Sequence, residues 1–331
     1  MAVKNTNATL VALKQESTFK EVITYTDAEV IGFDTFSFTP QTESLDRQFV
    51  NSKSGLSASA VQGSQTSSGS ISIEVLPDLT DSKKLAGHVL YEALLGDYTA
   101  TGATITATDV EDHKTAADGT DGLYSFSDLN IGSKSIGVKY VLGGDEASSV
   151  DIRGVVTTQL KMNFPSQGII KSDFTLEGST GFIPVNQGSD LTPFCSSMTP
   201  YIAKSMTLSV GGVNVCATDV SLTITSTMQD IKCVKDSGVS AKVLTGRKIE
   251  GSMTLIFEDL TELNAYNAWG DTNLFLLAEN AEGKQLAIKL NNIKKTSLDL
   301  GDDNSVITQS VSFEAYDTCG GTTPAILIAS K

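Results

Sequence analysis

The sequence is poor in the residue types that most catalytic and metal-binding sites need. It has two histidines, one tryptophan and four cysteines among 331 residues. The cysteines are widely spaced and form no C-x-x-C pair, which is sparser than a disulfide framework and typical of free thiols. Neither histidine lies at ligand spacing from a cysteine, so we expect no zinc site. No other metal ion or cofactor is predicted.

Sequence motifs with a known catalytic mechanism are missing as well. The chain contains no G-x-S-x-G, H-E-x-x-H or G-x-x-x-x-G-K-[ST] segment, the patterns of serine hydrolases, zinc peptidases and phosphate-binding loops. His88 falls beside an apolar helical stripe and His113 in a charged loop, and both are interpreted as structural. The adjacent Glu258 and Asp259 precede a helix, where carboxylates favour the positive end of the helix dipole. We therefore expect no enzyme activity.

Positive charge and long apolar runs are also scarce. The 24 basic residues face 39 acidic ones, for a net charge of −15. Such a surface repels polyanions, so binding to nucleic acid through phosphate contacts is not expected. No apolar run approaches the ~18 residues of a membrane span. The first residues do not form the apolar region of a secretory signal, so a cytoplasmic product without a membrane partner is expected.

What the sequence does contain is an internal repeat. Residues 69–75 (Gly-Ser-Ile-Ser-Ile-Glu-Val) recur as residues 251–257 (Gly-Ser-Met-Thr-Leu-Ile-Phe) at an offset of 182. Both segments alternate apolar and polar residues, the period of a half-buried strand. Three weaker matches follow the same order along the chain: 36–38 with 219–221, 150–153 with 286–289, and 172–177 with 309–314. A tandem duplication explains this order.

The duplication predicts a mainly β chain with two domains. The predicted boundaries are 1–181 for the first domain with an insertion at 97–132, 182–200 for a linker, and 201–331 for the second domain. The linker is assigned because Gly, Pro, Asn and Ser occur there without periodicity. The insertion has no counterpart in the second copy, and its Asp-Gly pairs beside residues 123–126 predict an extra hairpin.

Each copy is also predicted to carry one α-helix beside its strands. In the first copy, an apolar stripe at helical spacing begins after Asp81 or Ser82 as N-cap and ends at Gly96. In the second copy, residues 260–269 form a shorter stripe. Trp269 is predicted to anchor this helix on a sheet rather than to bind a ligand.

A long Ser/Thr/Gly/Lys-rich stretch occurs in each copy, at residues 39–68 and 223–250. It is too long for an ordinary connection, so a functional role is favoured. The stretch in the second copy is locally basic. On an acidic chain this favours a head-to-tail contact with another copy, of the kind that generates rings or open stacks. A solvated, mobile hairpin is the alternative interpretation.

The order of these elements resembles that of phage tail tube proteins from long, flexible, non-contractile tails. In the first copy the resemblance is carried by Glu43-Ser-Leu45, residues 69–75 and the helix at 90–96. In the second copy it is carried by residues 244–259 and 263–269. The resemblance covers most of the chain apart from the insertion and the linker. It is a pattern of elements without a catalytic signature.

This resemblance implies a structural virion protein with a specific architecture. Each copy would be a β-sandwich or half-barrel with one flanking α-helix and a long loop or hairpin. Six such domains would close a ring around a continuous inner β-barrel, and the rings would stack through the long loops into a hollow conduit for DNA ejection. Three two-domain chains would give a trimeric, pseudo-hexameric ring; a hexamer of whole chains is the alternative.

The resemblance also implies partners and a location. The expected partners are further copies of the chain, the tape measure, terminator and distal tail proteins, and double-stranded DNA that passes without specific binding. The chain would be assembled in the host cytoplasm and reside in the virion tail. The expected ring-stacking residues are Ser54, Gly55, Lys232, Lys235, Lys242, Arg247 and Lys248. The candidate lumen-facing residues are Ser70, Ser72, Glu74, Ser252 and Thr254, although the sequence leaves open which strand face lines the lumen.

Two other functions are compatible with parts of this pattern. A β-sandwich module for adhesion or glycan binding, on a virion or cell surface, would suit the Ser/Thr-rich strands. It would also be expected to have a signal peptide and clustered exposed aromatics. A glycan-cleaving enzyme would need a pair of separated carboxylates, for which the sequence offers no candidate.

Overall fold

A computed structural model of the chain consists mainly of antiparallel β-strands, which confirms the predicted fold class. It describes residues 9–47, 58–79, 81, 83–96, 98, 122–125, 134–144, 148–185, 191–194, 197–234, 238–303, 306–317 and 324–330. Short 3-10 turns lie at Asp27–Glu29 and Leu142–Gly144.

The two halves of the chain contain similar sets of elements. The first half contains β1 (Leu10–Gln15), β2 (Val30–Ile31), β3 (Thr35–Arg47), β4 (Ala58–Glu74), α1 (His88–Leu95), β5 (Gly122–Ser125), β6 (Ile136–Val141), β7 (Ser149–Pro165), β8 (Lys171–Gly178) and β9 (Ile183–Val185). The second half contains β10 (Ile202–Val210), β11 (Val213–Asn214), β12 (Ala217–Lys232), β13 (Val239–Ile256), α2 (Thr261–Asn267), β14 (Thr272–Glu279), β15 (Gln285–Asp303), β16 (Val306–Ala315) and β17 (Ile326–Ser330).

The strands of both halves pair in the same order. In the first half the order is β3-β4-β8-β7-β6-β1-β2. In the second half it is β12-β13-β16-β15-β14-β10-β11. Each of the long strands β7 and β15 pairs with one neighbour along its first part and with another along its second part. Strand β7 pairs with β6 and then β8, and β15 pairs with β14 and then β16. The buried apolar residues of both halves form one main cluster.

The strand pairing also aligns the two halves residue by residue. Two residues, one from each half, are equivalent when they occupy the same place in the sheet and pair with matching residues on the neighbouring strands. The equivalent pairs at the centre of the repeat are Ile71 with Met253, Phe36 with Val220, and Phe174 with Val311. This alignment preserves the offset of 182 for β4 and β13. It moves the match of the first strands by one residue, since Phe36 corresponds to Val220 rather than to Asp219.

Irregularities in the pairing recur at equivalent places. The register of β7 against β8 shifts between Thr157 and Gln159, and the register of β15 against β16 shifts between Lys295 and Ser297. A bulge adds one residue to one strand and bends it locally. Bulges at matching positions indicate that the two sheets share their detailed geometry as well as their strand order.

Several local predictions are corrected by the structure. The stretches 39–68 and 223–250 are predicted as aperiodic loops, but their described parts are mostly the long arms of the β3–β4 and β12–β13 hairpins. Helix α1 begins at His88 rather than after Asp81 or Ser82, because Gly87 adopts a left-handed conformation with φ of 69°. The predicted end at Gly96 is confirmed.

The prediction that Trp269 anchors the second helix on a sheet is wrong. Trp269 is 57% exposed and lies after the end of α2, at a φ of 53°. Its ring instead faces the Lys294 ammonium, which is 5.7 Å from the ring centroid. Helix α2 has no fully buried residue and is tied to β15 by an ion pair between Glu262 and Lys295.

Candidate interface: the joined sheet and its open edges

The longest strand pairing between the two halves is that of β7 with β12. The C-terminal part of β7 pairs with β8 on one side and, through residues 159–165, with residues 219–225 of β12 on the other. The strands β3-β4-β8-β7-β12-β13-β16-β15 therefore form one continuous antiparallel sheet of eight strands. We call this the joined sheet.

The joined sheet has one apolar face and one polar face. The apolar face is buried and includes Ile71, Leu160, Phe174, Leu222 and Met253. The polar face consists of the residues that alternate with these along each strand. It includes all five candidate lumen residues, Ser70, Ser72, Glu74, Ser252 and Thr254. The sequence prediction that they share one face is consistent with this register, because alternate residues of a strand point to the same side.

Hydrogen bonds between hydroxyl groups recur on the polar face. The Oγ atoms of Ser37 and Ser70 are 3.0 Å apart, and those of Ser221 and Ser252 are 2.9 Å apart. These two pairs are equivalent by the register of the two halves. The face therefore satisfies part of its hydrogen-bonding capacity internally, which leaves fewer donors and acceptors for a passing ligand.

Two of the predicted stacking residues connect the halves of a single chain. The Lys242 ammonium is 2.9 Å from Asp230 Oδ1 and 3.1 Å from Glu177 Oε2, and its side chain is only 3% exposed. The Lys232 ammonium is 3.5 Å from Glu43 Oε2. A hydrogen bond from Ser64, followed by the charge of Lys232, lowers the pKa of Glu43. The second hairpin is thus held against the first half by ion pairs.

The other predicted stacking residues are distributed differently. Lys248 is exposed and pairs with Glu250 at 2.7 Å, and the hydrogen bond between them raises the pKa of the Lys248 ammonium. Arg247 is half-buried on β13. Ser54, Gly55 and Lys235 lie outside the described residues.

We expect Lys242→Met to lower the free energy of unfolding by about 1–2 kcal/mol, because charged hydrogen bonds are lost while both carboxylates stay accessible to water. Methionine keeps most of the buried stem. Lys248→Met on the same strand is the matched control, and its exposed pair should contribute less than about 1 kcal/mol. Urea unfolding of both variants measures the difference. Equal losses would contradict the bridging role of Lys242.

Outside the joined sheet, strand β5 also connects the halves. It lies within the predicted insertion but pairs with β17 of the second half. Its Tyr124 is fully buried, and the Tyr124 hydroxyl oxygen accepts a hydrogen bond from the Leu85 N–H at 3.2 Å. The sequence predicted an extra hairpin in this insertion. One strand is present at 122–125 and pairs with β17, and the rest of residues 97–132, apart from Tyr98, lies outside the described residues.

The joined sheet ends in two edges that no described strand covers. Strand β3 pairs only with β4, and residues 297–303 of β15 pair only with β16. Apolar side chains are exposed near the second edge, where Leu300 is 59% and Ile307 56% exposed. Uncovered edges of this kind are templates for pairing with another chain. We call them the β3 edge and the β15 edge.

A cleft with a volume of about 640 Å³ lies beside α1. Charged groups in its wall pair with each other, Lys14 with Glu29 at 2.9 Å and Lys84 with Glu92 at 4.0 Å. The His88 Nδ1 atom lies 3.8 Å from Asp78 Oδ2. Among the described residues, no group of three or more His, Cys, Asp or Glu side chains is placed to hold a metal ion. In the part of the chain described above, no helix is long and apolar enough to cross a membrane.

A continuous antiparallel sheet across two equivalent halves, with a strand at each end that no described strand covers, defines a β-rich protein whose sheet edges are open. The chain matches the family model described as phage tail tube protein over residues 6–315 and belongs to that family. It is therefore a structural component of a phage tail, in a family that is not one of enzymes. No curated protein matches the chain.

Proposed function

We propose that copies of this chain close into rings, that the rings stack into the tail tube, and that DNA passes through the lumen during ejection. The observation that carries this proposal is the β7–β12 pairing, which places two equivalent four-stranded units side by side in one sheet. Continued around a ring, the same arrangement gives a closed barrel, and closure removes exposed sheet edges.

The two halves would then be two copies of one tube domain, with flanking helices α1 and α2. The proposed boundaries are those expected from the sequence: 1–181 with the insertion at 97–132, a linker at 182–200, and 201–331. The matching strand order and the matching bulges support this division. Three chains would supply six domains.

Simple barrel geometry favours three chains over two. Adjacent strands lie about 4.8 Å apart, so 16 strands running close to the tube axis enclose a diameter of about 24 Å and 24 strands about 37 Å. Inward-facing side chains take up about 10 Å of that diameter. The grooves of B-DNA are about 8.5 and 7.5 Å deep, so the duplex is at least about 16 Å wide. With eight strands per chain, a trimer has room for the duplex, and a dimer would have room only if its strands tilted strongly from the tube axis.

The polar face is proposed to line the lumen, with the apolar face packed against the outer layer of strands and helices. Its acidic residues outnumber its basic ones. The acidic residues are Glu74, Asp173, Glu177, Asp219, Glu250, Asp299 and Glu314, and the basic residues are Lys161, Lys171, Lys248 and Lys294. Lys171 and Lys248 are also paired with carboxylates. A wall of this charge would not hold DNA through phosphate contacts.

Stacking of rings is proposed to use the ends of the two long hairpins. The arms β3–β4 and β12–β13 lie beside each other, joined by the Lys232–Glu43 pair. Lys235, Ser54 and Gly55 stay predicted contacts there. Arg247 and Lys248, which were also predicted to contact the next ring, lie inside β13 opposite Ser226 and Thr225, away from the hairpin end. The tape measure protein inside the lumen, and terminator and distal tail proteins at the tube ends, are the further proposed partners.

Electron microscopy of the purified chain at high concentration tests the ring proposal. Rings or tubes with a central hole and six similar units around it are the expected result. Monomers under all conditions, at concentrations up to those that precipitate the protein, would reject it and favour the surface-adhesion alternative.

Lysine on the polar face is expected to slow DNA ejection without preventing assembly. The substitutions are Ser70→Lys and Ser252→Lys, at equivalent positions that do not face the core. Each added ammonium would neutralise a phosphate and oppose sliding, so the effect should weaken as salt increases. Ser70→Asn with Ser252→Asn is the control for side-chain size. Ejection from assembled tails, followed by dye uptake on released DNA, measures the rate; equal rates for both double variants would exclude this face as the lumen wall.

A further inference from the structure

We infer that each chain-to-chain junction of the ring repeats the β7–β12 pairing, with the β3 edge of one copy laid antiparallel against the β15 edge of the next. The inference rests on the proposed ring, and it adds the residues and the register of the contact. It follows from the internal symmetry of the chain. One junction between equivalent units is present within the chain, and it serves as the template for the junction between chains.

The two open edges are the equivalents of the two strands that meet inside the chain. Strand β3 corresponds to β12, since both are the first arm of the repeated hairpin. The end of β15 corresponds to the end of β7, since both follow the bulge and pair with β8 or β16 on one side. Inside the chain the other side of β7 is covered by β12. The equivalent side of β15 is the β15 edge.

The equivalence fixes a register for the proposed contact. Inside the chain, Ser221 pairs with Asn163 and Thr223 with Lys161. Transferred to the open edges, these pairs become Ser37 with Gly301 and Thr39 with Asp299. The next pair in the same direction is Gln41 with Ser297. A shift by one residue would place apolar side chains on the polar face, so the hydrophobic pattern disfavours it.

Apolar side chains are buried at the junction inside the chain, but their equivalents at the open edges are exposed or only partly buried. A second copy at these edges would cover them. On the apolar face of the internal junction, Leu160, Met162, Val220 and Leu222 are all fully buried. At the open edges, the residues equivalent to Met162 and Leu160 are Leu300, which is 59% exposed, and Leu298, which is half-buried.

The β3 edge shows the same difference. Phe36 and Phe38, which are equivalent to Val220 and Leu222, are also only partly buried. In the transferred register Phe38 lies opposite Leu300. The junction would therefore cover the most exposed apolar side chain of the β15 edge with an aromatic ring, and burying such a pair favours association.

The partner proposed for each open edge is a second copy of this chain. The strand that matches the β3 edge is the β15 edge, which lies at the other end of the same joined sheet. The two edges do not pair with each other within the described chain, where six strands of the joined sheet lie between them. Pro40 lies on β3 between Thr39 and Gln41, so the proposed contact forms without an N–H donor at this position. Head-to-tail contact between unlike edges gives a ring when the rotation closes.

A disulfide between copies tests the register. Ser37→Cys and Gly301→Cys are combined in one chain; Gly301 tolerates a side chain, because an added Cβ would approach no atom closer than Thr308 Oγ1 at 3.4 Å. The off-register control is Gln41→Cys with Gly301→Cys, whose positions would lie about 13 Å apart along the strands. Disulfides need Cβ atoms about 3.5–4.5 Å apart, so oxidised rings of the first variant should contain at least about tenfold more covalent oligomer.

The readout is a non-reducing gel of rings first checked by electron microscopy, with wild-type chain as the background for its native cysteines. If rings form but both double variants cross-link equally or not at all, the register is wrong while the ring proposal stands. If wild-type chain forms no rings, the proposed function itself fails. A second in-register pair, Thr39→Cys with Asp299→Cys, is tested in parallel and should behave like the first. Should the first variant not fold, cross-linking of the second pair decides the register.

Discussion

Gly251→Ala is expected to destabilise the chain by about 3 kcal/mol, or to prevent folding, because the space for its side chain is occupied. A Cβ at Gly251 would lie 2.3 Å from Phe313 Cζ and 2.7 Å from the carbonyl oxygen of Ser221. Backbone and a fully buried ring cannot move aside without disturbing the pairing of β12, β13 and β16. The glycine is therefore required by close approach of its neighbours and not by its backbone dihedral angles.

The equivalent glycine of the first half meets the same obstacle. A Cβ at Gly69 would lie 2.2 Å from the Ser37 carbonyl oxygen and 2.4 Å from Phe38 Cδ2. Gly69→Ala should therefore be about as destabilising as Gly251→Ala. The two substitutions test whether the repeat at offset 182 reflects a shared packing requirement.

Gly246→Ala is the matched control for both substitutions. Gly246 lies on β13, the same strand as Gly251, and no atom lies within 4 Å of an added Cβ. Its effect should stay within about 1 kcal/mol. Thermal and urea unfolding of the three variants measure the differences. Comparable stability of Gly251→Ala and Gly246→Ala would show that the close packing around Gly251 does not occur in solution.

The sequence was most informative where a strand has one buried face. Residues 69–75 and 251–257 alternate clearly because their apolar side chains enter the core while the intervening ones form the polar face. That alternation led to the repeat and so to the family. The distal hairpin arms carry little of this signal, because exposed side chains such as those of Gln62 and Thr245 have no core to face. Without one buried face, hydrophobic periodicity does not identify a strand.

Contacts between the halves could not be predicted from local patterns. Lys242 was expected to be a ring-stacking residue because it lies in a basic, Ser/Thr-rich stretch. Its partner Glu177 is 65 positions away in the sequence, and the two meet only because β7 pairs with β12. The strand partner of β5 was missed for the same reason. The register between distant strands is set by the assembled sheet, and a single sequence contains no direct record of it.

Tyr201→Ala is expected to weaken the attachment of the second half to the first more than any ion-pair substitution. Tyr201 follows the proposed linker and is fully buried in the main core. Its N–H donates to the Val75 carbonyl oxygen at 2.9 Å, and its own carbonyl oxygen accepts from the Ile170 N–H at 3.0 Å. Removing a buried aromatic ring costs about 3–5 kcal/mol. The lost stability would weaken mainly the contact between the start of β10 and the first half.

Tyr201→Phe separates the ring from the hydroxyl. The hydroxyl donates to the Gln285 carbonyl oxygen at 3.4 Å, and burial raises the pKa of this phenol, so it stays neutral. Losing that hydrogen bond should cost about 1 kcal/mol. Calorimetry should show one transition for wild type and Tyr201→Phe but two for Tyr201→Ala, with faster proteolysis within residues 182–200. A single transition for Tyr201→Ala at the wild-type temperature would mean that the strand pairings β7–β12 and β5–β17 hold the halves together without the Tyr201 ring.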